Sequence, residues 1–343
     1  MKTLSRRDFL KVGGLALASL AFTSFYPELT QFEDVELVRV AKDPVSVYTE
    51  PSDDSLIVRT WPRDSLIHVY DTVEVETPGN NPHWYRVFGG YMNASRLQKV
   101  RMQYNQPLAA VPDTMLLAEV TVPFTQAYRY NQYNGWYPFH RLYYTATQWL
   151  VDVDTGPDGK PWYVVQNESD KNIRYYVPAV QLRPILPEEF TPISPDVTPA
   201  WEKRIDVDLT TQTVTCSEYS QVVYTARVST GVKWLYDTPT GDFNINDKLP
   251  SRNMSASSPL SDDIIPLVGV PWTSFFNTGK GHAFHGTYWH DNFGVTMSHG
   301  CINMRNEDAK WLFRWCTPSA SFDEIDKTTL DRRGYGTPIY IHN

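Results

Sequence analysis

A cysteine thiol attacks an acyl carbonyl efficiently only as the thiolate, so it needs an imidazole or another cationic group to take its proton. In the stretch Ser298-His299-Gly300-Cys301-Ile302-Asn303-Met304-Arg305, preceded by Phe284-His285-Gly286-Thr287, Cys301 has two such candidates, His285 and His299. His299 stands two residues from the thiol, where an extended chain would point both side chains the same way. His285 can approach from a neighbouring strand. Gly300 has no Cβ, so the backbone can turn sharply there and aim N–H groups at a substrate carbonyl, the geometry of an oxyanion hole. Taken singly, a cysteine is a small buried hydrophobe and a histidine a satisfied polar group. The combination points to cysteine acyl chemistry.

The same residues have a rival reading as a metal site, because His282, His285, His290, His299 and Cys301 crowd one stretch. His282 and His285 would form a ligand pair only on a helix, which Gly279, Gly281 and Gly286 disfavour. The usual Cys-x-x-Cys and His-Glu-x-x-His spacings are absent. Neither a metal nor a cofactor is expected.

The elements that must position these groups read as mainly β. The chain has 343 residues, enough for two or three domains, and its 21 Tyr, 11 Trp and 25 Pro favour strands and turns. A net charge of −8 with no basic tract argues against nucleic acid as a partner. Three cysteines leave one unpaired in an exported chain; Cys301 is the obvious free thiol, and Cys216 with Cys316 is open to a disulfide or to two buried thiols.

Arg204-Ile205-Asp206-Val207-Asp208-Leu209 alternates with period two, and Thr213-Val214-Thr215-Cys216 and Val222-Val223-Tyr224 continue it, which predicts a meander. Ser229-Thr230-Gly231 and Thr238-Pro239-Thr240-Gly241 read as turns. Behind the cysteine, Asn306 to Trp315 has an Asn cap, early acids and late bases, which predicts a helix supporting the nucleophile loop.

Taken together, these motifs resemble the YkuD-type L,D-transpeptidase signature: a His-Gly pair, a variable segment, then Ser-His-Gly-Cys, a hydrophobic residue and Asn or Arg. The Ser-Thr-Gly and Thr-Pro-x-Gly landmarks and the closing Gly336-Thr337-Pro338-Ile339-Tyr340-Ile341 extend the resemblance from Trp201 to Ile341, and residues 201–343 are expected to form a β-sandwich catalytic domain. The resemblance implies a cysteine acyl transferase acting on peptidoglycan stem peptides. Cys301 is then the nucleophile and His285 the base, with the Gly286 carbonyl orienting its ring. His299, Ser298 and Gly300 shape the loop, and Asn303, Arg305 and Trp272 contact substrate. Such a thiolate should also open the strained ring of a carbapenem. The alternatives are a wall-binding protein, or a carboxypeptidase or endopeptidase using the same Cys-His site; a papain-like order would place the cysteine before its histidine, the reverse of what stands here.

Upstream, two SH3-like small barrels are expected at residues 34–100 and 114–184. The first resembles such a module through His83-Trp84-Tyr85-Arg86-Val87-Phe88, Tyr91-Met92 and Leu97; the second repeats it in Pro161-Trp162-Tyr163-Val164-Val165 and Tyr176 to Leu182, with Tyr48 matching Tyr128. Their aromatic residues are read mainly as core. A proline-rich linker, residues 185–200, is expected to resist packing and separate the barrels from the catalytic domain.

Residues 1–33 read as an address. Ser5-Arg6-Arg7-Asp8-Phe9-Leu10-Lys11 matches the twin-arginine export pattern, and an apolar run from Val12 to Phe25 follows. Ala16-Leu17-Ala18 is an early candidate cleavage site, so a retained anchor is the one membrane contact expected. The cell envelope is the implied destination.

Overall fold

The computed structural model describes residues 36–42, 44–76, 81–193, 198–258, 261–319 and 336–343. The expected export segment lies outside the described residues. Strands dominate, as composition suggests, and they fall into five sheets.

The first two sheets come from β1 (Leu37–Val40), β2 (Val45–Tyr48), β3 (Ile57–Trp61), β4 (Leu66–His68), β5 (Asp71–Glu74), β6 (His83–Val87), β7 (Gly90–Asn93) and β8 (Leu97–Val100). They are ordered β4-β1-β8 and β3-β2-β7-β6-β5. Alternation in β2 and β6 drives Val45, Val47, Tyr85 and Val87 into one core with Val38, Met92 and Leu97.

A seven-stranded sheet, β11-β10-β14-β13-β12-β9-β15, follows from β9 (Leu116–Val120), β10 (Phe124–Asn131), β11 (Gly135–Tyr143), β12 (Thr147–Thr155), β13 (Pro161–Gln166), β14 (Arg174–Pro178) and β15 (Leu182–Pro184). Leu150, Tyr163, Val165, Tyr175 and Val177 fill its core. The internal repeat reappears as pairing: Tyr48 is the cross-strand partner of Tyr91, and Tyr128 of Tyr176.

The segment after Pro184 is packed, which corrects the expectation of a free spacer. Ile185 and Phe190 carry enough apolar surface to enter the next core, and Glu189 binds Arg183 at 2.7 Å and Lys310 at 2.6 Å.

The last third holds β16 (Lys203–Asp208), β17 (Thr213–Glu218), β18 (Gln221–Arg227), β19 (Gly241–Asn244), β20 (Asp247–Ser258), β21 (Ser261–Asn277), β22 (His282–Gly286), β23 (Ile302–Met304), helix α1 (Asn306–Trp315) and β24 (Pro338–His342). Two sheets result, β18-β17-β16-β24-β19 and β20-β21-β22-β23. Ile205, Val207, Val214, Phe284, Ile302, Met304, Leu312 and Phe313 share the core between them. Cys216 and Cys316 lie in it as free, buried thiols. Helix α1 packs on β21 and β22. Its cap position is Arg305 rather than Asn306, and no side chain caps it.

This part is tied to the upstream sheets by buried polar contacts. The Arg39 guanidinium, 1% exposed, donates to Gln98, Asp64 and the Tyr288 carbonyl, the last at 2.7 Å. Thr147 Oγ1 donates to the Pro250 carbonyl at 2.9 Å, and Ser251 Oγ to that of Thr147 at 2.8 Å.

Candidate active site

Strands β22 and β23 run parallel, with Phe284 paired to Ile302, His285 to Asn303 and Gly286 to Met304. Phe284, Ile302 and Met304 face the core, so the period of two turns His285 and Asn303 to the other side. Cys301 immediately precedes β23. The residue as a whole is half-buried, and its sulfur donates to the Gly281 carbonyl at 3.5 Å. Parallel strands need a crossover between them, and residues 287–301 supply it; the end of that crossover is the loop that carries Cys301.

Side-chain hydroxyls hold this loop. Ser298 Oγ accepts the Gly300 N–H at 3.1 Å and donates to the Cys301 carbonyl. Gly300 has φ +106°, a conformation that favours glycine, and a Cβ there would stand 2.8 Å from His282 Nε2 and push that ring aside. From the neighbouring segment, Thr238 Oγ1 donates to the Gly300 carbonyl at 3.0 Å and accepts the Gly231 N–H at 2.8 Å. The Thr230 carbonyl accepts from Met297 and Ser298 N–H, and Ser229 exchanges two 2.9 Å backbone bonds with Asn303. Ser229, Thr230, Gly231 and Thr238 thus brace the loop that carries Cys301, a role that reading them as turns did not give them. No local signal shows it, because the contacts span more than sixty residues.

His285 is 2% exposed, and its Nδ1 lies 3.0 Å from the Gly286 carbonyl. A carbonyl only accepts, so Nδ1 carries the proton and Nε2 keeps its lone pair. Burial pushes the imidazole down to about 4, so it is neutral at physiological pH. Burial likewise pushes the Cys301 thiol up to about 11, against the opposing pull of the Ala283 backbone N–H. The resting site is therefore a neutral thiol and a neutral imidazole with its accepting nitrogen unprotonated. Gly286 also has to be glycine, since a Cβ would meet Asn306 Oδ1 at 2.7 Å and Pro271 Cγ at 2.8 Å.

Three expected site residues stand elsewhere. Trp272 is 0% exposed, with φ +56°, its ring 5.4 Å from both Phe190 and Phe313. It is a core residue, not a substrate wall. His299 is exposed and packs on Tyr236 at 4.0 Å between ring centres. Positive φ at Gly300 breaks the extended geometry that would have aligned it with Cys301. Arg305 lies beyond the far end of β23, above the Phe293 ring at 4.9 Å, and lines a cavity of about 360 Å³ together with Lys99, Tyr85 and Asp291. Asn303, expected to contact substrate, is instead buried, with its amide nitrogen 2.8 Å from His290 Nε2. His290 Nδ1 accepts the Asn292 N–H at 3.1 Å, and burial pushes this ring down to about 3. Among the described residues, no group of three His, Cys, Asp or Glu is arranged to hold a metal ion.

Comparison with known proteins bears on this segment. Over 200 residues the chain is 24% identical to the probable L,D-transpeptidase YbiS of Escherichia coli strain K12, covering 57% of this chain and 54% of the relative. The YbiS of Escherichia coli O6:H1 matches to the same extent. The chain thus spans about half the length of the curated relatives it matches. Among solved structures, an L,D-transpeptidase from Mycobacterium smegmatis is similar with a TM-score of 0.33 and 17% identity, covering 51% of this chain and 75% of that one. The catalytic domain of the E. faecium L,D-transpeptidase gives a TM-score of 0.30 and 23% identity, covering 41% and 96%. Residues 202–341, which contain both His285 and Cys301, match the family model of YkuD, the L,D-transpeptidase catalytic domain.

Proposed function

We propose that the chain is an exported cysteine acyl transferase, an L,D-transpeptidase that cross-links or modifies peptidoglycan stem peptides in the cell envelope. The observation that carries this reading is the pairing of β22 with β23, which sets His285, with Nε2 unprotonated, on the strand adjacent to Cys301.

In this reaction the Cys301 sulfur attacks the carbonyl preceding the terminal D-alanine of a tetrapeptide stem as its proton passes to His285 Nε2. The C–S bond forms and the carbonyl becomes a tetrahedral oxyanion. The Gly300 N–H is already taken by Ser298, so the N–H of Cys301 is the loop donor for that oxyanion. One such donor contributes roughly 3 kcal/mol. Collapse breaks the C–N bond, His285 returns the proton to the departing amine, and D-alanine leaves a thioester. An amine of a second stem then attacks the thioester, giving its proton to His285, which passes it to the leaving thiolate.

Because the thiol resists ionisation and the imidazole resists protonation, the proton moves as the C–S bond forms rather than before substrate binds. The test is muropeptide analysis of cells with the wild-type chain or Cys301→Ala. Cross-links between third residues that vanish in the variant support the reading; an unchanged muropeptide profile overturns it.

A further inference from the structure

One face of the β9–β15 sheet carries aromatic rings where a solvated face would carry polar side chains. Tyr128 and Tyr130 stand on β10, Trp136 on β11, Trp162 on β13 and Tyr176 on β14. Register puts them side by side, Tyr128 opposite Tyr176 and Tyr130 opposite Trp136. Their neighbours of opposite parity, Ala127, Tyr163, Tyr175 and Val177, fill the core instead. Trp136 lies 4.9 Å from Tyr176, 5.3 Å from Tyr130 and 6.0 Å from Trp162, and Tyr128 lies 5.8 Å from Trp162.

Trp162 is the buried floor of this row. Its Nε1 donates to Asp158 at 2.8 Å, and Gly156 leaves no room for a Cβ against its ring. Tyr128, Trp136 and Tyr176 are half-buried above it, and Tyr130 is 55% exposed. The first module has the matching trio Tyr48, Tyr91 and Trp84, with Tyr48 and Trp84 5.6 Å apart, and the second module lengthens it with Tyr130 and Trp136. Packing accounts for the half-buried Trp136, but Tyr130 at the end of the row is exposed, as a binding face would leave it.

The surroundings define the occupant. Asp154 is the cross-strand partner of Trp162 and Asp152 that of Val164; both carboxylates are exposed, and with Arg174 they are the charges acting on the Tyr176 hydroxyl. Two carboxylates against one guanidinium repel a polyanion and offer acceptors to hydroxyl groups. A pyranose ring has an apolar C–H face, matched to the negative face of an aromatic ring, and a rim of hydroxyls, matched to those acceptors. The rings step across the sheet at interplanar angles of 49° to 81°, which suits successive units of a chain better than one flat molecule. We propose that this face is a binding site for a neutral chain of pyranose sugars, with the exposed Tyr130 and the half-buried Trp136 as its stacking residues. The site uses none of the residues around Cys301.

The test titrates the full chain with a β-1,4-linked N-acetylglucosamine tetramer, read by tryptophan fluorescence and by the indole N–H signals in NMR. Expected are saturable binding centred on Trp136, weakening of about tenfold in Trp136→Ala, and a smaller loss in Tyr130→Ala, with carbapenem acylation of Cys301 unchanged. Tyr130→Ala removes an exposed ring, so it keeps the test decisive if Trp136→Ala fails to fold. Absence of saturable binding at millimolar sugar, equal affinity in a folded variant, or binding of an oligolysine peptide in place of the sugar would each overturn the proposal.

Discussion

His285 Nδ1 bonds the carbonyl oxygen of Gly286, the next residue in its own strand, at 3.0 Å. The hydrogen bond that orients the ring therefore comes from the backbone of β22 and needs no third side chain. As the proposed base, His285 would be fixed before substrate arrives, and its neutral state is set by burial rather than by a carboxylate partner.

The first prediction concerns pH. Because His285 is pushed down to about 4, carbapenem acylation should persist through mildly acidic pH and fall only as pH approaches that value. His285→Ala should cut the rate by roughly 10²- to 10⁴-fold near neutrality, the usual worth of a positioned base. That variant should recover only toward pH about 11, where the buried thiol ionises unaided. His299→Ala, which removes a ring packed on Tyr236 at the surface, should cost less than about tenfold. Acylation rate against pH for both variants, with folding matched by thermal melts, checks all three.

A second prediction addresses the loop brace. Thr238→Val keeps the shape of the side chain but leaves the Gly231 N–H and Gly300 carbonyl without their shared hydroxyl. Buried groups stranded in this way cost about 1–3 kcal/mol. The variant should melt earlier and acylate more slowly, and Thr238→Ser should restore most of both; full activity in a normally melting Thr238→Val would remove the brace from the account.

Stability should also track the two buried imidazoles. Both have folded pKa values lowered from 6.5, His285 to about 4 and His290 to about 3, so the unfolded chain takes up protons first as pH falls. Their contribution is complete above pH 6.5 and is lost as pH drops toward 4 and then 3. Melting temperature should decline through that window, and His290→Gln should flatten the decline.

Export is the fourth expectation. The twin-arginine pattern at Arg6 and Arg7 is proposed to direct the chain across the membrane. Arg6→Lys with Arg7→Lys should leave precursor in the cytoplasm, seen by fractionation; normal export of the double variant would end that proposal.

Much of the local geometry around Cys301 was legible before the fold. His285, Gly286 and the Ser298–Cys301 loop are contiguous motifs, and the need for glycine at position 300 follows from a turn that the sequence itself marks. Residues whose meaning depends on long-range packing were not legible. Trp272 follows a proline in an extended run, as a wall residue would, yet its positive φ and its neighbours Phe190 and Phe313 place it inside. Phe190 sits in a proline-rich stretch that reads as a spacer, but one buried aromatic outweighs several prolines in deciding whether a segment packs. His290 lies in the crossover, where no periodicity announces burial. Arg305 is only four residues from Cys301, but a strand carries it to the opposite end of the sheet edge.

The central claim is that Cys301 carries the acyl group. Incubation with a tetrapeptide stem, followed by peptide mass spectrometry, should show an adduct equal to the stem less its terminal D-alanine on the peptide containing Cys301. The adduct should be released by hydroxylamine and absent from Cys301→Ala. An adduct that persists in Cys301→Ala, or that maps to Cys216 or Cys316, would contradict the account.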